Sequence, residues 1–295
     1  MKISYYPGCT LKTKAKNLED TALAALQALG IEVEELERWN CCGAVFSLAD
    51  DDLIHLVAPV RDLIRAKDAG ADKVMTLCAQ CYNVLARANK VMREDEEKRK
   101  TLNLFMDEET DYQGEVEVIH FLDLIRDQVG WEELRKKVKV PLEGLKVAPF
   151  YGCATIRPLE HAIGGDGTIA PSIFGEFIAA LGATPVDYPG ATECCGSYEI
   201  LNNPDDALQR SGKVLSSAKD HGADALVLSC PLCEYNLGRR QKDIRAKNAD
   251  LAEMPVYYFT QLLAIALGLD AETCHFELNM DNARALLEER QFLGA

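Results

Sequence analysis

The chain has 295 residues, 48% of them hydrophobic, enough for about two globular domains that each bury a core. Its formal charge of −15 argues against nucleic acid, whose phosphates are bound through a surplus of lysine and arginine. The longest apolar stretch, around Leu262–Leu269, is too short to cross a bilayer, and Met1–Cys9 holds no signal-peptide core. A cytoplasmic protein without direct membrane insertion is expected, in which eleven cysteines point to metal or redox chemistry rather than structural disulfides.

Taken in order, Lys2–Tyr6 alternates as a strand, and Pro7-Gly8 turns the chain into Cys9. Leu18, Ala22, Ala25, Leu26 and Leu29 predict a helix over Asn17–Leu29, closed by Gly30. Ile31–Leu36 reads as a second strand, followed by Cys41-Cys42-Gly43 and a helix from about Asp51 to Ala69. Lys73–Leu77 reads as a buried strand delivering Cys78-Ala79-Gln80-Cys81, where a helix begins. The charged run Arg93–Lys100 reads as a solvated continuation of that helix. Val116–Phe121 is a strand, Leu122–Val129 a helix, and the segment from about Trp131 to Lys146 a linker between domains 1–140 and 146–295.

The order then begins again. Ala28-Leu29-Gly30 is matched by Ala180-Leu181-Gly182, the stretch Gly70–Cys78 by Gly222–Cys230, and Phe121–Ile125 by Phe259–Leu263. From Leu29 to Cys81 the offset is 152 or 153, and at Phe121 it is 138, which places an insertion of 14 residues at the charged run. Such a period exceeds that of solenoids and indicates duplicated domains. Strands alternating with helices predict an α/β fold: two Rossmann-like domains with mostly parallel sheets, related by a pseudo-twofold axis. The cysteines fall at strand carboxyl ends, where open α/β sheets gather ligands.

Ten of the eleven cysteines form two sets: Cys9, Cys41, Cys42, Cys78 and Cys81, then Cys153, Cys194, Cys195, Cys230 and Cys233. Four thiolates satisfy a structural zinc or a cubane iron–sulfur cluster, so a fifth in each set is surplus to either. Adjacent cysteines rarely both face one tetrahedral ion, but reach different irons of a larger cluster where a glycine lets the backbone turn. Gly43 and Gly196 stand at those places. Zinc in one half or both, and a vicinal disulfide, are the alternatives; thiolates suit zinc as well as iron.

The doubled pattern Cys…Cys-Cys-Gly…Cys-x-x-Cys resembles the cysteine-rich CCG domain. Two such domains without a ferredoxin-type segment resemble the B subunit of heterodisulfide reductase, from Tyr6-Pro7-Gly8-Cys9 through Phe259–Leu263. The resemblance implies a noncubane [4Fe–4S] cluster in each half, held by all five cysteines and facing a cavity between the domains. It implies a disulfide oxidoreductase that, in methanogenesis, cleaves the coenzyme M–coenzyme B disulfide. Its electrons come through a ferredoxin-like C subunit from a flavin-containing A subunit. The Cys153–Cys194 gap is nine residues longer than its counterpart, a departure assigned to Gly164-Gly165-Asp166-Gly167. A noncatalytic electron-transfer subunit, and a CCG subunit of a lactate or glycolate oxidising complex, are the alternative functions.

Lesser candidates surround these sets. Lys12, Lys14 and Lys16 follow Cys9, and Arg157 follows Cys153, as possible contacts for an anionic substrate group. Tyr5, Tyr6, Tyr151 and His161 are candidate proton donors, and Cys274 in the tail reads as a lone buried thiol.

Overall fold

The computed structural model describes residues 1–44, 53–165, 172–248, 251 and 253–293. The predicted helix start at Asp51 and the loop residues Asp166 and Gly167 lie outside the described residues. The first half runs β1 (Lys2–Tyr5), α1 (Lys16–Ala28), β2 (Glu32–Glu35), α2 (Ile54–Asp68), β3 (Lys73–Thr76), α3 (Ala79–Glu94), α4 (Glu96–Phe105) and β4 (Glu117–His120). It continues through α5 (Phe121–Leu124), a π-helical turn at Ile125–Val129 and α6 (Trp131–Lys137). The second half runs β5 (Lys146–Pro149), α7 (Ile173–Ala180), β6 (Thr184–Pro185), α8 (Glu199–Asn202), α9 (Pro204–Asp220), β7 (Ala225–Leu228) and α10 (Pro231–Glu234). A second π-helical turn, Tyr235–Arg239, leads to α11 (Gln241–Lys247), β8 (Val256–Tyr258), α12 (Phe259–Ala266) and α13 (Asp281–Glu289).

Each half holds a four-stranded sheet, in the order β2-β1-β3-β4 and β6-β5-β7-β8, and every pairing is parallel. Parallel neighbours require helical crossovers, which cover both faces and leave the inner strands apolar throughout. All four residues of β7 are buried, as are Val74 to Thr76 of β3. The predicted α/β class and its duplication are borne out.

The two repeats meet about a pseudo-twofold axis. In the first half α1 follows β1 and α5 follows β4; their counterparts are α7 and α12. Across the junction α1 packs on α12, and α5 on α7, each helix against the counterpart of its opposite number. Repeat-equivalent residues touch each other only at such an axis. Phe121 and Phe259 are such a pair, with ring centroids 5.3 Å apart, edge to face. Phe259 also meets His120, Phe174 and Phe177, so one fully buried ring joins both cores. The hydroxyl of Thr21 donates to that of Thr260 at 2.7 Å, which in turn donates to the Leu18 carbonyl.

Two local expectations change. The charged run is not one continued helix: α3 stops at Glu94, and Asp95 turns to extended backbone, its carboxylate accepting from Lys98 N at 3.0 Å to cap α4. The predicted linker is packed structure. It contains α6, whose Leu134 is fully buried, and Lys139 and Val140 donate to the Ala266 carbonyl of the second half. Among the described residues no helix is long and apolar enough to cross a membrane.

Candidate metal centre

The sheets deliver all ten cysteines to one region. β1 and β5 end in Tyr-Pro-Gly and Tyr-Gly turns that set down Cys9 and Cys153. β3 and β7 feed Cys78 and Cys230, which stand as the residues before α3 and α10, with Cys81 and Cys233 in the first turns. Gly8 adopts φ +77°, and a Cβ there would come within 3.1 Å of Cys81 Sγ. Gly152, its counterpart, has φ +63°, and a Cβ would meet the Phe150 ring at 3.0 Å and Cys233 Sγ at 3.7 Å. Both positions favour glycine twice over, for the left-handed backbone and for a close neighbour, the Cys81 sulfur at Gly8 and the Phe150 ring at Gly152. Gly43 and Gly196 also have positive φ, as the Cys-Cys-Gly turns require.

The sulfurs form one unbroken row. Cys9 Sγ lies 3.6 Å from Cys41 Sγ, and Cys42 Sγ 3.6 Å from Cys81 Sγ. Cys41 and Cys42 shift each other's ionisation, as do Cys81 and Cys78. At the axis Cys78 lies close enough to Cys230, its repeat equivalent, for each to shift the other's ionisation. Beyond it the order reverses: Cys230 meets Cys233, Cys233 Sγ lies 3.4 Å from Cys195 Sγ, and Cys195 meets Cys194, which meets Cys153. The row begins at an exposed Cys9 and Cys41, is buried at its centre, and returns to half-exposed Cys194 and Cys153. All eleven cysteines are free thiols, so no vicinal disulfide joins Cys41 to Cys42 or Cys194 to Cys195.

Packed so closely, these thiols cannot all ionise together. Cys42, Cys230 and Cys194 are driven well below the usual thiol range by sulfur donors on both sides. Cys78, Cys81 and Cys233 are pushed far above it, first by the neighbouring sulfurs and then by burial. Among the described residues no three His, Cys, Asp or Glu side chains converge as the ligands of one metal ion. The donor set is instead two groups of five soft sulfurs, which fits a polynuclear iron–sulfur cofactor better than a mononuclear site. Orphaned buried polar atoms support an occupant. The Tyr258 hydroxyl, fully buried and electrostatically coupled to Glu234, Cys230 and Cys78, has no hydrogen-bond partner. Thr76 and Thr155, each two residues from a row cysteine, have unpartnered hydroxyls as well.

Neighbouring groups hold the Cys-Cys-Gly turns. Before Cys41, the Asn40 backbone donates to Asp62 Oδ1 at 2.7 Å and its carboxamide to the Cys41 and Ala58 carbonyls, while Arg65 donates to Asn40 Oδ1. In the second half Asn236 donates to the Cys195 and Ser197 carbonyls, and Ser197 takes a positive φ of 45°. An open cleft of about 390 Å³ beside Cys194 is lined by Glu193, Arg210 and Lys213.

The lesser candidates divide. Lys12 is committed to Glu19 at 2.8 Å and Glu35 at 2.6 Å. Arg157 Nη1 donates to the Thr192 carbonyl at 3.2 Å. Tyr5 donates to Glu19, and Tyr6 to the Asn40 carbonyl beside the first set. Tyr151 stacks edge-on with Phe174, and His161 is largely buried, its Nε2 4.0 Å from Glu160 and without a hydrogen-bond partner. Cys274 is buried away from the row, near the Gln261 carbonyl, its pKa pushed up to about 12 by burial. Sequence reasoning missed Asn83, Asn236, Glu234 and Arg239. The signal was there: Tyr82-Asn83 follows Cys81 directly, whereas Glu234 separates Cys233 from Tyr235-Asn236.

The profile of the cysteine-rich domain family, CCG, matches residues 3–86 and 147–238. The chain is 32% identical to the 8-methylmenaquinol:fumarate reductase membrane anchor subunit of Wolinella succinogenes, over 97% of this chain and 99% of that one. It is 30% identical to the B subunit of the ferredoxin/F(420)H(2)-dependent CoB-CoM heterodisulfide reductase of Methanosarcina acetivorans, over 94% and 93% of the two chains. The glycolate oxidase iron–sulfur subunit of Escherichia coli is 24% identical over 78% of this chain, which spans 52% of that protein. Among solved structures, a hypothetical protein from Helicobacter pylori superposes with a TM-score of 0.76 at 13% identity, covering 94% of this chain and 51% of that one. With two cysteine-rich domains end to end and these relatives aligned over nearly its whole length, the chain belongs to the family of heterodisulfide reductase B subunits.

Proposed function

We propose that this chain is the disulfide-reducing subunit of a heterodisulfide reductase-type complex, holding one noncubane [4Fe–4S] cluster in each five-cysteine set. Cys9, Cys41, Cys42, Cys78 and Cys81 would hold the first, and Cys153, Cys194, Cys195, Cys230 and Cys233 the second. The observation that carries this reading is the meeting of the two sets at Cys78 and Cys230 on the axis. A small disulfide lying across that point has one sulfur toward each set. When bound, the clusters supply the two electrons and Lewis-acidic iron for the thiolates. The balance is one disulfide, two electrons and two protons giving two thiols. The electrons come from partner subunits of ferredoxin-like and flavin-containing type. The chain's own contribution is to bury the centre of the row and exclude water there; with the clusters bound, the ten cysteines would serve as ligands and not as exchange dithiols.

The test is anaerobic iron, sulfide and zinc analysis, with electron paramagnetic resonance before and after a thiol such as coenzyme M is added. Roughly eight irons per chain and a new signal on oxidation with thiol are expected. Two zincs and no sulfide would sink the proposal. The match over nearly the full length of a fumarate reductase subunit favours one second reading, an electron relay without disulfide chemistry. Clusters that ignore added thiol would select it.

A further inference from the structure

Each set has one cysteine on a loop far from the other four in sequence, Cys9 in the first half and Cys153 in the second. Both loops fold on themselves: Thr13 donates to the Cys9 carbonyl, and Arg157 N to that of Cys153. Both are also tied to the opposite half. Asn83, two residues after Cys81 and 5% exposed, donates through Nδ2 to the Ala154 carbonyl at 3.0 Å and the Arg157 carbonyl at 2.5 Å. The first half thus grips the turn that follows Cys153. In return Arg239, six residues after Cys233, donates through Nη2 to the Lys14 carbonyl at 2.9 Å, at the end of the Cys9 loop. Its Nε is fixed at 2.9 Å on Glu234, a carboxylate 2% exposed that directly follows Cys233.

The one-residue difference between the repeats produces this exchange. Glu234 is the extra residue, and the helix absorbs it by widening into the π-helical turn Tyr235–Arg239. Asn236, equivalent in sequence to Asn83, is thereby kept on its own Cys194-Cys195 turn, and Arg239 takes over the reach across the axis. The grip is charge-assisted on one side and a buried amide on the other. Removing Asn83 leaves two part-buried carbonyls without their donor, a loss that costs more than the bond itself contributes; removing Arg239 frees the exposed Lys14 carbonyl to water and leaves the buried Glu234 carboxylate without its cation.

We propose that Asn83 and Arg239 are positioning residues, each holding the loop cysteine of the opposite half, so that the two sites gain and lose their cofactors together. This rests on the cofactor reading above. The test is site-resolved alkylation of the anaerobically purified full-length protein, mapped by mass spectrometry, alongside the time course of iron loss to a chelator. Asn83→Ala is expected to raise the labelling rate of Cys153 about tenfold with Cys9 unchanged, and Arg239→Ala to do the reverse. Asn83→Asp keeps the shape but lacks the donor, and serves if the alanine variant fails to fold; Arg239→Lys restores part of the grip. Iron leaves the wild-type chain in one phase and the variants in two. Labelling gains confined to the half that carries the substitution, or two phases in the wild type, would overturn the proposal. If the wild type holds no iron, the cofactor reading fails, and the same labelling maps on the metal-free chain still decide whether the loops are held from across the axis.

Discussion

Gly8 and Gly30 share a left-handed backbone, with φ of +77° and +79°, but differ in surroundings. An added Cβ meets Cys81 Sγ at 3.1 Å in the first case and nothing within 4 Å in the second. Each substitution to alanine should cost roughly 1–2 kcal/mol in denaturant unfolding from the backbone alone. Only Gly8→Ala should also lose iron from the first site, which metal analysis of both variants checks. Asp62 gives a pH signature. Burial raises its carboxyl to about 7, so the folded chain keeps a proton that the unfolded chain releases near pH ~4. The resulting stability is full below about pH 4 and is lost as pH rises to about 7. Asp62→Asn lacks this dependence, so its melting temperature should gain on the wild type across that window; a constant difference would show Asp62 is not the group. At this scale the cysteines were legible because packing alone does not set ten thiols in register across a repeat. Lys12 was not, since its partners Glu19 and Glu35 come from α1 and β2 and only the fold brings them to it. Tyr5 is taken up the same way by Glu19.

Helix boundaries show what periodicity carries and what it hides. The apolar spacing of Asn17–Leu29 and the apolar run of β3 both gave their elements to within a residue or so. The break at Asp95 escaped because glutamate, lysine and arginine favour helix on both sides of it, and a single capping carboxylate decides the matter. Asp95→Ala should therefore destabilise the chain by about 1 kcal/mol without changing its iron content, as read by chemical unfolding and metal analysis. A loss of iron would mean that α4 supports the centre directly. The segment around α6 read as a linker because Pro141 and Gly144 punctuate it, but the carbonyl of Ala266 and the shelter over Leu134 come from a distant part of the chain. The π-helical turn was foreshadowed only by the spacing between Cys233 and Tyr235-Asn236, a one-residue slip whose structural meaning depends on what the displaced side chains reach.

For the molecule as a whole, the repeat announced two domains, and the position of their shared axis came from geometry. Phe259 lies on it, fully buried among Phe121, Phe174, Phe177 and His120. Phe259→Ala should cost about 3–5 kcal/mol, and calorimetry should show the single transition of the wild type splitting in two as the halves uncouple. Retention of one sharp transition would locate the coupling elsewhere. A duplicated chain has a freedom that two identical subunits lack: its copies can diverge. Here Asn83 and Asn236 have parted, one half carries the π-helical turn beside its cysteines, and the second-half end of the sulfur row lies beside a cleft lined by Arg210 and Lys213. The centre therefore has polarity. An unsymmetrical molecule laid across it meets two different ends and has a preferred direction of binding, visible as a single orientation in crystals soaked with an unsymmetrical disulfide.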